Sequence, residues 1–132
     1  MNLLVLSPRA VDAAAVRAAL PDEDLEGARV LVVSPAVNQS ALAFWVSDAD
    51  EAIADAEDAA SQTVRALEER GAQARGTAGE AEPITALQDA LATFPADRIV
   101  VFGESEDEAQ EIARQATERF DVSVSTGRLG AG

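Results

Sequence analysis

Ser7, Ser34 and Ser105 each stand at the end of a short apolar run, where a strand would hand over to a loop. They are the chain's nucleophile candidates, and each would need a neighbouring base. The 132 residues contain no His, Cys or Tyr, and all ten basic residues are Arg, so Lys is absent as well. That removes imidazole bases, thiolates, Schiff-base amines and phenolic acids together. No Gly-x-Ser-x-Gly elbow is present either. Carboxylates remain, but no spacing sets two of them across a pocket as a glycosidase-type pair requires. The cluster Asp48, Asp50, Glu51, Asp55, Glu57, Asp58 has calcium-like ligands without the glycine such a loop needs. It continues as Ala52-Ile53 in helical phase, so it reads as a solvated helix face. Residues 21–26, PDEDLE, read as a solvated acidic loop. A zinc site built from carboxylates alone would be unusual. The expectation is a chain with no catalytic residues, no metal and no cofactor.

Charge narrows the partners. Twenty-four acidic residues against ten basic ones give a net charge of −14. Phosphate backbones and anionic membrane surfaces are gripped by clustered cations, so nucleic acid and membrane are excluded as expected partners. Aromatic content of 4% leaves little for base stacking. No run approaches the roughly 18 apolar residues of a spanning helix, and Met1–Leu6 lacks a basic n-region. A cytoplasmic location is expected.

Candidate positions have meaning only on the elements that carry them. Leu3–Leu6, Arg29–Ser34 and Arg98–Phe102 are continuous apolar runs bounded by Gly or Pro, the pattern of parallel strands covered on both faces. Gln73–Thr77 reads as a weaker edge strand, and Asp121–Ser125 as a half-buried last strand. Helical spacing falls between them, at Val11–Leu20 and Asp48–Arg70, from Pro83 to Pro95, and after Ser105. Ser47 is a candidate N-cap for the long helix, and Ile53, Ala56, Ala60, Val64 and Leu67 its buried stripe. Gly71 ends it at the C′ position, and Ser105 with Glu108 forms a capping box for the last helix. The alternation β-α-β-α-β-α-β-α-β gives an α/β fold, a three-layer α/β/α sandwich around a parallel sheet. One domain over 1–126 is expected, with 127–132 as a flexible tail.

The string VLVVSPAVNQSALAFWVSDADEA at 30–52, followed by a long helix, GEAEPITAL at 79–87, FPADRIVVF at 94–102 and ERFDVSV at 118–124, resembles the universal stress protein family, in a divergent branch typical of actinobacteria. The resemblance implies a five-stranded parallel sheet of order 3-2-1-4-5, of the adenine nucleotide alpha hydrolase-like, Rossmann-like kind. It also implies frequent homodimers through the last strand and, in some members, an ATP site. Those members carry Gly-x2-Gly-x9-Gly-Ser/Thr after strand four. Here Gly103 matches the first glycine, Glu106 stands at the second, and Ala116-Thr117 fall where Gly-Ser/Thr is expected. The acidic residue the family places at the end of strand one is also missing, the stretch reading Leu6-Ser7-Pro8. Glu104, Glu106, Asp107 and Glu108 crowd the same turn, where they suit a helix dipole and repel a triphosphate.

In such a fold the switch point lies beyond the carboxyl ends of strands one and four. Ser7, Arg9, Ser34, Asn38, Gly103 and Ser105 are the residues it would gather, with Arg9 as the anion-binding group. They form either a pocket for a small polar ligand other than ATP or a vestigial cleft. Phe44-Trp45 is either a partner anchor or a seal over the core. Two functions follow: a stress-protein-like module acting by protein association as a homodimer, or a sensor of a small ligand.

Overall fold

The structure, a computed structural model, describes residues 1–36 and 49–129. Asn38, Phe44, Trp45 and the Ser47 cap lie outside the described residues. Five strands, β1 (Asn2–Leu6), β2 (Arg29–Pro35), β3 (Gln73–Gly79), β4 (Arg98–Phe102) and β5 (Ser123–Gly127), form one parallel sheet of order β3-β2-β1-β4-β5. Four helices lie between them: α1 (Ala13–Ala19), α2 (Ala49–Glu68), α3 (Pro83–Leu91) and α4 (Glu106–Arg119). The α/β class and the strand order are as the sequence and its resemblance imply.

The sheet divides two cores by residue parity, because successive strand side chains point to opposite faces. Leu3, Val5, Val30, Val32, Val100 and Phe102 pack with Val16 of α1 and Ala60 and Leu67 of α2. Leu4, Leu6, Leu31, Val33, Ile99 and Val101 pack with Leu87 of α3 and Ile112 of α4. The central strands β1, β2 and β4 are buried on both sides, which is why they read as unbroken apolar runs.

Helix ends follow the local chemistry. Asp12 caps α1, its Oδ1 accepting from the Ala15 amide at 2.8 Å, so the helix starts two residues after Val11. After α2, Gly71 takes φ +90°, its amide donates to the Glu68 carbonyl, and the Ala72 amide reaches back to Leu67. This pair of bonds is a Schellman closure, which needs the left-handed residue that glycine supplies.

Two expectations are corrected. The buried stripe of α2 runs Ala52, Ala56, Ala60, Thr63, Leu67, and Ile53 is 42% exposed. The neighbouring Ala52 takes the inward position, and Thr63 is buried because its hydroxyl is fully engaged. Its Oγ1 accepts from the Val11 amide at 3.0 Å and donates to the Ala59 carbonyl at 3.1 Å. The last strand is shifted two residues, from 121–125 to 123–127. Register with β4 (Arg98 to Ser123, Phe102 to Gly127) decides this, and a shift of two keeps every side chain on its face. Gly127, read as the first residue of a tail, is thus in the sheet, and Leu129 beyond it packs against the α1–α2 core.

Among the described residues no helix is long and apolar enough to cross a membrane.

Candidate functional site

Parallel register brings the strand ends together. Leu6 pairs with Val33 on one side and Val101 on the other. One residue further, Ser7 lies between Ser34 and Phe102, with its amide donating to the Val33 carbonyl at 3.0 Å. Five of the six residues singled out from the sequence fall in the described region, around this crevice. Their side chains, however, are mostly occupied.

Ser7 is buried, and its hydroxyl turns back on its own loop, donating to the Arg9 carbonyl at 2.5 Å and accepting from the Arg9 amide at 3.3 Å. Arg9 reaches across from the β1 loop to the β4 loop and pairs with Glu104, Nε lying 3.0 Å from Oε2. The expected anion-binding cation therefore already holds a carboxylate of its own chain. Its side chain is 64% exposed, so solvent screens the pair and its contribution to stability is below about 1 kcal/mol.

The turn after β4 is closed in the same way. Ser105 caps α4, its Oγ accepting from the Glu108 amide at 3.1 Å. The Glu108 carboxylate reaches back to the Glu104 amide at 3.2 Å, one residue earlier than the usual capping box. Two amides at the mouth of the turn are thus satisfied internally. Gly103 has a packing role: a Cβ there would stand 2.7 Å from the Ala109 nitrogen and 3.1 Å from the Ser105 carbonyl oxygen. The glycine lets strand and helix backbones touch. Ala116 and Thr117, at the positions of the glycine–hydroxyl pair, lie well inside α4. Ala116 is buried against the sheet, and the Thr117 hydroxyl donates to the Ala113 carbonyl at 2.8 Å. Glu106 pairs loosely with Arg128 at 3.5 Å, across a shallow cleft of about 340 Å³. The first turn of α4 carries Glu106, Asp107 and Glu108, so charge at this mouth is negative on balance.

One polar group of the crevice is left over. Ser34 is 1% exposed, and its Oγ has no hydrogen-bond partner among the described residues. A buried hydroxyl without a partner costs free energy, so it marks a point where a ligand atom or water would be welcome.

A second opening among the described residues, of about 690 Å³, is elsewhere. It lies on the α3 side of β2 and β3 and continues past β3 to the first turns of α2. Sequence reasoning missed it. The one available signal was the small-residue composition of β3, QARGTAG, which cannot fill the space over its own strand. Among the described residues no group of three acidic side chains is placed to hold a metal ion.

No protein-family model matches the chain, and no curated protein matches its sequence. Solved structures do match its shape. The universal stress protein from Archaeoglobus fulgidus superposes with a TM-score of 0.63 at 20% identity, over 96% of this chain and 93% of that one. A universal stress protein family protein from Arabidopsis thaliana, whose crystal structure has AMP bound, superposes with a TM-score of 0.57 at 11% identity, over 99% and 93%. Over its described residues, the chain has the fold of the universal stress proteins.

Proposed function

We propose that this chain is a divergent universal-stress-protein-like module that acts through association with proteins, as a homodimer through β5, and neither binds ATP in the family's mode nor catalyses a reaction. The observation that supports this reading most directly is the Arg9–Glu104 pair. The cation nearest the switch point neutralises a carboxylate instead of waiting for a phosphate. The self-satisfied amides of Glu104 and Glu108 and the backbone contact behind Gly103 point the same way. The absence of His, Cys, Lys and Tyr supports a non-catalytic role. β5 is an edge strand of five residues and offers its outer side for pairing across a two-fold axis, although a charge of −14 opposes the approach at low salt.

A second reading is favoured by Ser34. Its buried hydroxyl beside Ser7, without a partner among the described residues, suits a small polar ligand with a hydrogen-bond donor or acceptor. The AMP in the Arabidopsis structure is a precedent for a ligand on this fold.

Native mass spectrometry of freshly purified protein separates the readings. The association reading expects a ligand-free dimer that dissociates when the β5 edge is blocked by Ser125→Pro. A retained small molecule that is lost with Ser34→Ala would replace it with the second.

A further inference from the structure

β3 is the other edge of the sheet, and it is longer than β5: seven residues, mostly small, with Arg75 as the only charge. The Gln73 amide donates to the Ala28 carbonyl, and the Gly79 carbonyl accepts from the Ala36 amide. In a parallel ladder such groups alternate in direction, so the odd-numbered residues serve β2. The amides and carbonyls of Ala74, Gly76 and Ala78 therefore face outward. Among the described residues only the Ala78 carbonyl has a further partner, the Thr77 hydroxyl at 3.2 Å. Natural edges are usually shortened, bulged, covered or heavily charged. This one has none of those protections among the described residues.

Beside the edge lies the 690 Å³ cavity, floored by Leu31, Val33, Ala86 and Ala90. Among the described residues its rim carries Glu57 of α2, Glu80 after β3 and Asp89 of α3, against a single Arg75. An extended segment added to the edge would turn alternate side chains to the α3 side, toward that floor, and their neighbours to the α2 side, beside Glu57. We propose that the β3 edge and this cavity dock an extended segment of a partner protein as a sixth strand, with aliphatic residues alternating with Lys or Arg. Charge selects the occupant. A second copy would bring another −14 and three more rim carboxylates to the same place, whereas a basic strand neutralises them.

The inference rests on the association reading and adds a surface and a partner class to it. The probe is a capped Lys-Val repeat of seven residues, titrated into 15N-labelled full-length protein. The controls are a Glu-Val repeat and a Lys-Val repeat N-methylated on alternate amides. Expected are amide shifts centred on Ala74, Gly76 and Ala78, with affinity at least tenfold weaker for both controls. Ala78→Pro, which removes one outward amide and leaves the charge unchanged, should weaken binding of the Lys-Val repeat at least tenfold. Glu57→Lys, at an exposed helix position on the side the Lys side chains would take, should do so as well and needs no change in the strand. Shifts spread over all acidic helix faces, or equal affinity for the N-methylated peptide, would overturn the proposal in favour of plain charge attraction. Slow hydrogen exchange at Ala74, Gly76 and Ala78 in the isolated monomer would overturn it by showing the edge already covered. Slow exchange there only in a dimer would assign the edge to a second copy. If no peptide binds but native mass spectrometry still gives a β5 dimer, this inference fails and the association reading stands.

Discussion

Gly103→Ala separates a glycine kept for packing from a glycine kept for phosphate. The added methyl would lie 2.7 Å from the Ala109 nitrogen and 3.1 Å from both the Ala109 Cα and the Ser105 carbonyl oxygen. All three are backbone atoms, so no side-chain rotation relieves them. The first turn of α4 would have to retreat several tenths of an ångström from a core in which Ala109 and Phe102 are each about 1% exposed. Overpacking of this kind costs about 1–3 kcal/mol. Replacing glycine returns about 0.4–1 kcal/mol by restricting the unfolded chain. Because the contacts are all with backbone, the upper half of the overpacking range applies, so the net loss is about 1–2.6 kcal/mol, which for a domain of this size lowers Tm by about 4–9 °C. Urea unfolding followed by circular dichroism, with a matching thermal scan, measures it. A Gly103→Ala protein within 0.3 kcal/mol of the parent would refute the packing argument and return the glycine to a ligand-binding role.

Other consequences can be checked in the same assays. Thr63→Val keeps the shape of the side chain but leaves the buried Val11 amide without its acceptor. A loss of about 1–3 kcal/mol is expected, and an unchanged urea midpoint would show that the hydrogen bond contributes nothing. Glu82 caps α3, its two oxygens accepting from the Ile84 and Thr85 amides at 3.1 and 2.7 Å. Desolvation raises its pKa, but the Thr85 and Ile84 amides and the Thr85 hydroxyl together outweigh this and hold it below the ordinary 4.5. A lowered folded pKa gives stability that is present above the unfolded value and lost as pH falls through the folded one. Glu82→Ala should therefore cost about 1 kcal/mol at pH 7, with the gap to the parent closing below pH 4.5; a gap independent of pH would contradict the cap. Gly127→Ala drives a methyl into the ring of buried Phe102, so it should destabilise by about 1–3 kcal/mol. A neutral effect would mean that the sheet ends before Gly127.

Much of this architecture could be read from the residues, and the gaps have identifiable physical causes. β1, β2 and β4 were legible because burial on both faces leaves a continuous apolar run and no other pattern. Gly71 and Ser105 were legible because caps are local. Ile53 misled because helical periodicity alone does not tell two adjacent stripes apart when alanine fills the inner one. Thr63 was missed because its burial depends on Val11, 52 residues away in the chain. The crevice shows the same limit. Its members could be named from strand ends, but the partner of Arg9 lies 95 residues away, and nothing local marks Glu104 as that partner. The β3 cavity was invisible for a related reason. It is created by what small side chains leave unfilled between elements distant in sequence.

The central claim is that the turn after β4, with Arg9 paired to Glu104 and its amides capped by its own carboxylates, does not hold a nucleotide's phosphates. A thermal titration with ATP and magnesium addresses it most directly, since a ligand at a hundred times its Kd stabilises by about 2.7 kcal/mol, or roughly 10 °C here. The expected result is a Tm that stays put up to millimolar ATP, in the parent and in Arg9→Ala alike. A saturable rise in the parent that Arg9→Ala abolishes would contradict the account.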